Sequence, residues 1–191
     1  MKRKTAIKSI VAIVTLGGAS GALYNFLTPG KAIPLSDLSK KKPLIAELAE
    51  TIIPRTHTPG AKDAHVEDYI IKMIAENTDP KMQRSFLAGL YAVDHYAMDE
   101  YKKLFTNCAS DEKNKILKHF EDKATYPFDL LNRANRKFLG APFFFHLRDL
   151  TVEGYCTSLA GATQGMAYDY IPVTFEACIP LQKNQLAWST K

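Results

Sequence analysis

A chain of 191 residues with 46% hydrophobic content is long enough to bury one real core. Its formal charge of +5 is concentrated at the start: residues 1–27 carry Lys2, Arg3, Lys4 and Lys8 and no acid, so the remainder has 21 basic against 20 acidic residues, a charge of +1. A nearly neutral body lacks the electrostatic support that a nucleic-acid partner needs.

In chain order, "MKRKTAIKS" is a basic stretch, and residues 10–27, "IVAIVTLGGASGALYNFL", form an uncharged apolar run. That succession is the pattern of an export signal, and the run is close to a membrane-spanning length. Residues 1–30 are therefore expected to be a signal peptide or a membrane anchor helix. Arg3, Lys4 and Lys8 stand in an order that resembles a twin-arginine signal, with lysine in place of the second arginine. A general secretory signal is the alternative. No clean Ala-x-Ala cleavage site stands out, and no cysteine near the end of the run offers a lipoprotein anchor. The expected location is the periplasm or cell envelope, in association with the membrane.

The remainder, 36–191, reads as a single all-α domain, compact and helical, with an irregular, extended C-terminal tail. Leu44, Ile45, Leu48, Ala49, Ile52 and Ile53 recur at helical spacing until Pro54 stops them. "TIIPRTHTPGAKDAHV", residues 51–66, is a corner in which Pro59-Gly60 supplies a turn with glycine at positive φ, and Asp63 caps the next helix. Val66, Tyr69, Ile70, Met73 and Ile74 form the next apolar stripe. Asp79-Pro80 supplies an N-cap and a first-turn proline for a long helix whose buried face takes Phe86, Leu87, Leu90, Val93, Tyr96, Ala97, Tyr101, Leu104 and Phe105. Ser110 caps a shorter helix with Ile116, Leu117 and Phe120. Another helix is expected over 127–139, and a last one over 143–155, "FFFHLRDLTVEGY". From Gly161 the periodicity fails. Pro172 and Pro180 forbid a long helix, while Tyr168, Tyr170, Phe175, Leu181 and Trp188 are too apolar for simple disorder. No run alternates at period two, so no sheet is expected.

Motifs of known chemistry are missing. There is no nucleophile elbow, Walker loop or Gly-x-Gly-x-x-Gly, and no Glu-x-x-His precedes any of the five histidines. "GATQG", residues 161–165, reads as a loop where the backbone approaches something closely rather than as a phosphate cradle. His57 and His65 flank the corner without a convincing further metal ligand, and Asp94, His95 and Asp99 group on one helix as solvated faces often do. His146 and Glu153, seven apart, are a conceivable buried pair. No catalytic, cofactor-binding or metal-ligating set is assigned to the chain. Outside the reducing cytosol, Cys108, Cys156 and Cys178 leave one cysteine over. Either all three are inert thiols, or Cys156 and Cys178 close a 22-residue loop for roughly 3 kcal/mol of denatured-state entropy.

"LAETIIPRTHTPGAKDAHVEDYI" (48–70), followed by "LTVEGYCTSLAGATQGMAYDYIPV" (150–173) and "ACIPL" (177–181), resembles subunit 3, the small subunit, of gluconate 2-dehydrogenase-type complexes. The resemblance spans roughly 44–188. It implies a non-catalytic chain without a cofactor of its own. Its partner would be a large FAD-dependent sugar or sugar-acid dehydrogenase, often joined by a cytochrome c subunit carrying haem c. The small subunit of that family is associated with maturation or export of the large one. A docking surface should then be rich in aromatic anchors. The candidates are Phe143 to Phe145, Tyr155, Tyr168, Tyr170, Phe175 and Trp188, with Cys178 able to tether a partner or to pair with Cys156. The rival expectation is an independent cell-envelope enzyme or metal-binding protein using His57, His65, Asp94, His95 or Asp99.

Overall fold

The computed structural model describes residues 35–125, 142–171, 178, 180, 181 and 183–189. Among these residues six α-helices follow in order: α1 (Leu35–Ser39), α2 (Lys42–Ile52), α3 (Val66–Asn77), α4 (Pro80–Tyr101), α5 (Ser110–Ala124) and α6 (Phe143–Thr157). A 3₁₀ turn (Phe105–Asn107) precedes α5, and one π-helical turn (Gly161–Gly165) follows α6. The domain is all-α; among the described residues the only β feature is an isolated parallel bridge, Ala167 to Trp188. No described helix is long and apolar enough to cross a membrane. The segment bearing Arg3, Lys4 and Lys8, the helix expected over 127–139, and Phe175 lie outside the described residues.

The last helix is the hub. Phe144, Leu147, Leu150, Thr151 and Tyr155 are all buried, at spacings that wrap more than one stripe around α6, and accordingly it packs on α2, α3, α4 and α5. Around it the stripes close as expected from their periodicity. Leu44, Ile45, Leu48 and Ala49 are buried on α2; Val66, Ile70 and Ile74 on α3; Phe86, Leu90, Val93 and Ala97 on α4; Ile116 and Leu117 on α5. Phe105 seals the turn before α5, whereas Leu104, expected inside, is exposed. Helix α1 has no counterpart in the sequence-based expectation; its single core residue, Leu38, is too little periodicity to announce a helix.

Helix ends depart from expectation in instructive ways. Asp79 caps α4 as its sequence indicates, its Oδ1 accepting from the Lys81 and Met82 amides at 2.9 and 3.2 Å. Ser110 is not a cap but the first residue of α5, and Glu112 takes over by accepting from the Ala109 amide at 2.8 Å. Asp63 does not cap α3. The preceding residue is His65, in the left-handed region at φ 52, and Asp63 instead accepts from the Gly60 amide at 3.0 Å. Its carboxylate fastens the turn, three residues before the helix begins.

Candidate functional site

The corner over 53–65 is held by side chains aimed back into it. Glu50, in the last turn of α2, accepts from the Arg55 amide with Oε1 and from the Lys62 amide with Oε2, both at 2.9 Å. The helix dipole disfavours a carboxylate at this end, so its presence is a sequence signal that a specific donor set lies nearby. Gly60 explains itself through this group. A Cβ there would stand 2.5 Å from Glu50 Oε1 and 2.6 Å from the Arg55 amide nitrogen. Close approach, and not the expected positive φ, is what requires glycine; the left-handed residue of the corner is His65. The Ala61 amide donates to Ile53 O at 2.9 Å and the Thr56 amide to Thr58 O at 3.0 Å, so these backbone groups of the corner have partners within it.

Glu47, one turn earlier, accepts from Lys113 of α5 at 2.8 Å and pairs with Lys62 of the corner. Burial pushes its carboxyl up, but the two ammonium groups outweigh that and hold it below its ordinary range. The corner is thereby tied to two helices through one acid.

The two sequence blocks that are eighty residues apart meet here. Tyr155 of α6 donates its phenol O–H to Pro59 O at 2.7 Å, and the π-helical turn closes over the ring. A side chain at Gly165 would strike the Tyr155 phenol, which is the close backbone approach anticipated for "GATQG". Tyr155 is consequently a buried internal strut and not an exposed anchor. The other aromatic candidates on α6 are also occupied. Phe144 is core; Phe143 lies 5.3 Å from the Phe86 ring; Phe145 stacks under Arg148, 4.9 Å from its guanidinium carbon.

Corner and π turn together enclose a polar hollow of about 290 Å³, lined by Arg55, Thr56, His57, Thr58, Pro59, Asp63, Ala160 and Gln164. Arg55 is paired with Asp63 at 3.4 Å, and the two threonine hydroxyls meet at 3.2 Å. His57 is exposed at its rim. The lining presents hydroxyls, an amide, an ion pair and an imidazole, a set suited to engaging a polar surface.

Beyond the hollow the chain turns apolar. Leu159 is 81% exposed, Tyr170 82% and Leu181 89%, with Ile171, Tyr168 and Leu186 also exposed. The Ala167 amide donates to Ala187 O at 2.8 Å and the Ser189 amide to Ala167 O at 3.0 Å, so the tail returns on itself at Trp188. The three cysteines are free thiols. Cys108 is buried, its thiol pushed up by burial and donating to Leu104 O; Cys156 is half-buried; Cys178 is exposed on the tail. The internal Cys156–Cys178 bond considered from the sequence is not formed.

The remaining singled-out groups do not converge. Asp94 holds Lys41 at 3.0 Å, and His95 pairs with Asp99 at 2.9 Å on the exposed side of α4. His146 and Glu153 do not pair. His146 lies edge-on to Phe86, its imidazole pushed down by burial, while Glu153 neighbours Tyr69, whose phenol is pushed up first by burial and then by that carboxylate. His57 stands in the hollow, but His65 faces Glu67 and Asp68 at the start of α3, companions that the sequence reading passed over. The signal was there in the contiguous His-x-Glu-Asp, obscured because a first-turn acid is ordinary helix chemistry.

The family model for gluconate 2-dehydrogenase subunit 3 matches residues 39–173. That range contains the corner, the hub helix and the π turn. No match was found among curated proteins or among solved structures.

Proposed function

The chain belongs to the gluconate 2-dehydrogenase subunit 3 family, and on that premise we propose that it is the non-catalytic small subunit of an exported, FAD-dependent sugar or sugar-acid dehydrogenase. The observation that carries this reading is the apolar segment around Leu159, Tyr170, Ile171 and Leu181, left uncovered at the edge of a rigid polar corner. Large apolar side chains exposed on one stretch of chain are what a protein–protein contact would cover. Aromatic anchors beside hydrogen-bonding groups are the ordinary composition of such a contact.

In this reading the large flavoprotein docks on the end formed by the corner, the π turn and the tail. Tyr168, Tyr170, Phe175 and Trp188 are its anchors, and Cys178 is the available tether. The basic start of the chain, with Arg3, Lys4 and Lys8, directs the assembled pair to the periplasm or holds it at the membrane. FAD belongs to the large chain and haem c to a cytochrome subunit where one is present. The small subunit contributes stability and export.

The test is purification of a tagged chain from its native envelope without reductant. A near-stoichiometric, yellow, FAD-binding large chain is the expected companion, and its release by reductant identifies the tether as a disulfide. A chain recovered alone overturns the reading.

A further inference from the structure

We propose that His65, Glu67 and Asp68, at the start of α3, bind one divalent transition-metal ion of the Zn²⁺ type, displacing the ammonium of Lys42. This site is independent of the docking end. One ligand atom from each of the three side chains lies within 4.8 Å of the others. His65 is placed by its left-handed backbone, with Nδ1 3.8 Å from Glu67 Oε1.

Glu67 points to a ligand on separate grounds. It is only 6% exposed, its Oε2 is sealed from solvent, and that oxygen accepts no hydrogen bond. Its Oε1 faces the cluster, where His65 Nδ1 and Lys42 Nζ stand at 3.8 and 4.0 Å, beyond hydrogen-bonding range. Buried carboxylates are ordinarily paired or bound to a metal, because an ionised oxygen without partners is costly to remove from water. Asp68, three residues after His65, takes the ammonium instead, with its oxygens at 2.6 and 2.8 Å from Lys42 Nζ. Two carboxylates therefore share one monovalent cation, and the buried one receives the smaller part.

The location itself tolerates a cation, since Lys42 already places one there against the dipole of α3. A divalent ion exchanges that single ammonium charge for two positive charges and reaches Glu67 directly. One imidazole nitrogen with two carboxylate oxygens suits Zn²⁺, whereas Mg²⁺ and Ca²⁺ favour oxygen ligands throughout. Coordination draws the ligand atoms closer together than they now stand. The side chains that must move, His65 and Asp68, are 77% and 57% exposed and have the freedom to do so. Three protein ligands leave a fourth position for water or for a group from another chain.

The experiment is calorimetric titration of Zn²⁺ into the full-length, untagged chain in detergent, with thermal unfolding as a second readout. One equivalent binds and raises Tm; Ca²⁺ and Mg²⁺ do not compete. His65→Ala and Asp68→Asn each weaken binding by about tenfold or more, and both are exposed enough to preserve the fold, which far-UV circular dichroism verifies. Lys42→Met tightens binding several-fold, because the competing ammonium is gone. Absence of binding in both the native chain and Lys42→Met overturns the proposal. So does binding that is indifferent to His65→Ala and Asp68→Asn, which puts the ion at another histidine.

Discussion

The corner over 53–65 and the described part of the tail after Gly165 both lie outside the α-helices, yet they are secured in opposite ways. The corner is polar, and Glu50, Asp63 and Tyr155 each supply an inward-facing partner for its backbone. The tail is apolar, with Tyr170 and Leu181 facing outward and, among the described residues, a bridge at Ala167 and Trp188 securing its return. Loops that carry function are normally positioned by a rigid support. In the proposed assembly the support is the corner, and the docking surface is the tail beside it.

The sharpest way to break this comparison is to remove the acid that fastens the corner. Glu50→Ala leaves two amides without their charged acceptor and should lower the unfolding free energy by about 3 kcal/mol, read from urea denaturation at constant m-value. A loss near zero would mean that the corner is held by its backbone alone. Tyr155→Phe tests the link between the two blocks: it deprives Pro59 O of its donor and should cost about 1–2 kcal/mol. Equal stability of the two forms would make the phenol a bystander.

Acid titration separates the two regions further. The Glu47 carboxyl is held below its ordinary value in the folded chain, so its stabilising contribution is fully present above that ordinary value. It is lost as pH falls from there through the lowered folded value. Glu47→Gln should remove that part of the acid slope in denaturation midpoints recorded between pH 6 and pH 3. A slope unchanged by the substitution would assign the acid sensitivity to other carboxylates. The smallest effect on stability belongs to the tail, where Tyr170→Ala and Leu181→Ser should change it by less than about 0.5 kcal/mol. The same pair should reduce recovery of the dehydrogenase partner more than about tenfold. A tail substitution that destabilises the isolated chain would show that the segment serves its own core.

Much of the framework was legible because helix periodicity reports burial directly. The stripes on α2, α3, α4, α5 and α6 close on one another where their spacing places them, and Asp79-Pro80 starts α4. The family blocks were legible too, since the matched range contains both the corner and the π turn. The supports within the candidate site were less so. Glu47 and Glu50 look like solvated acids in a helical pattern, and only the folded corner and the approach of α5 turn them toward backbone amides and lysines. Tyr155 reads equally well as an anchor or a strut until Pro59 is seen beside it.

The sequence by itself determined that this is an all-α chain with a nearly neutral body, a polar proline-containing corner and an apolar tail whose prolines forbid a long helix. These follow from local rules: residue spacing, the missing amide of proline, and charge counted along the chain. Tertiary structure alone decided how far around α3 the buried face reaches. That helix packs against α1, α2, α4 and α6, so its buried arc extends past the apolar stripe to Ile71 and Glu67. A carboxylate is thus enclosed by neighbours from separate parts of the chain, and burial of that kind depends on packing between helices, which no single helix's sequence encodes.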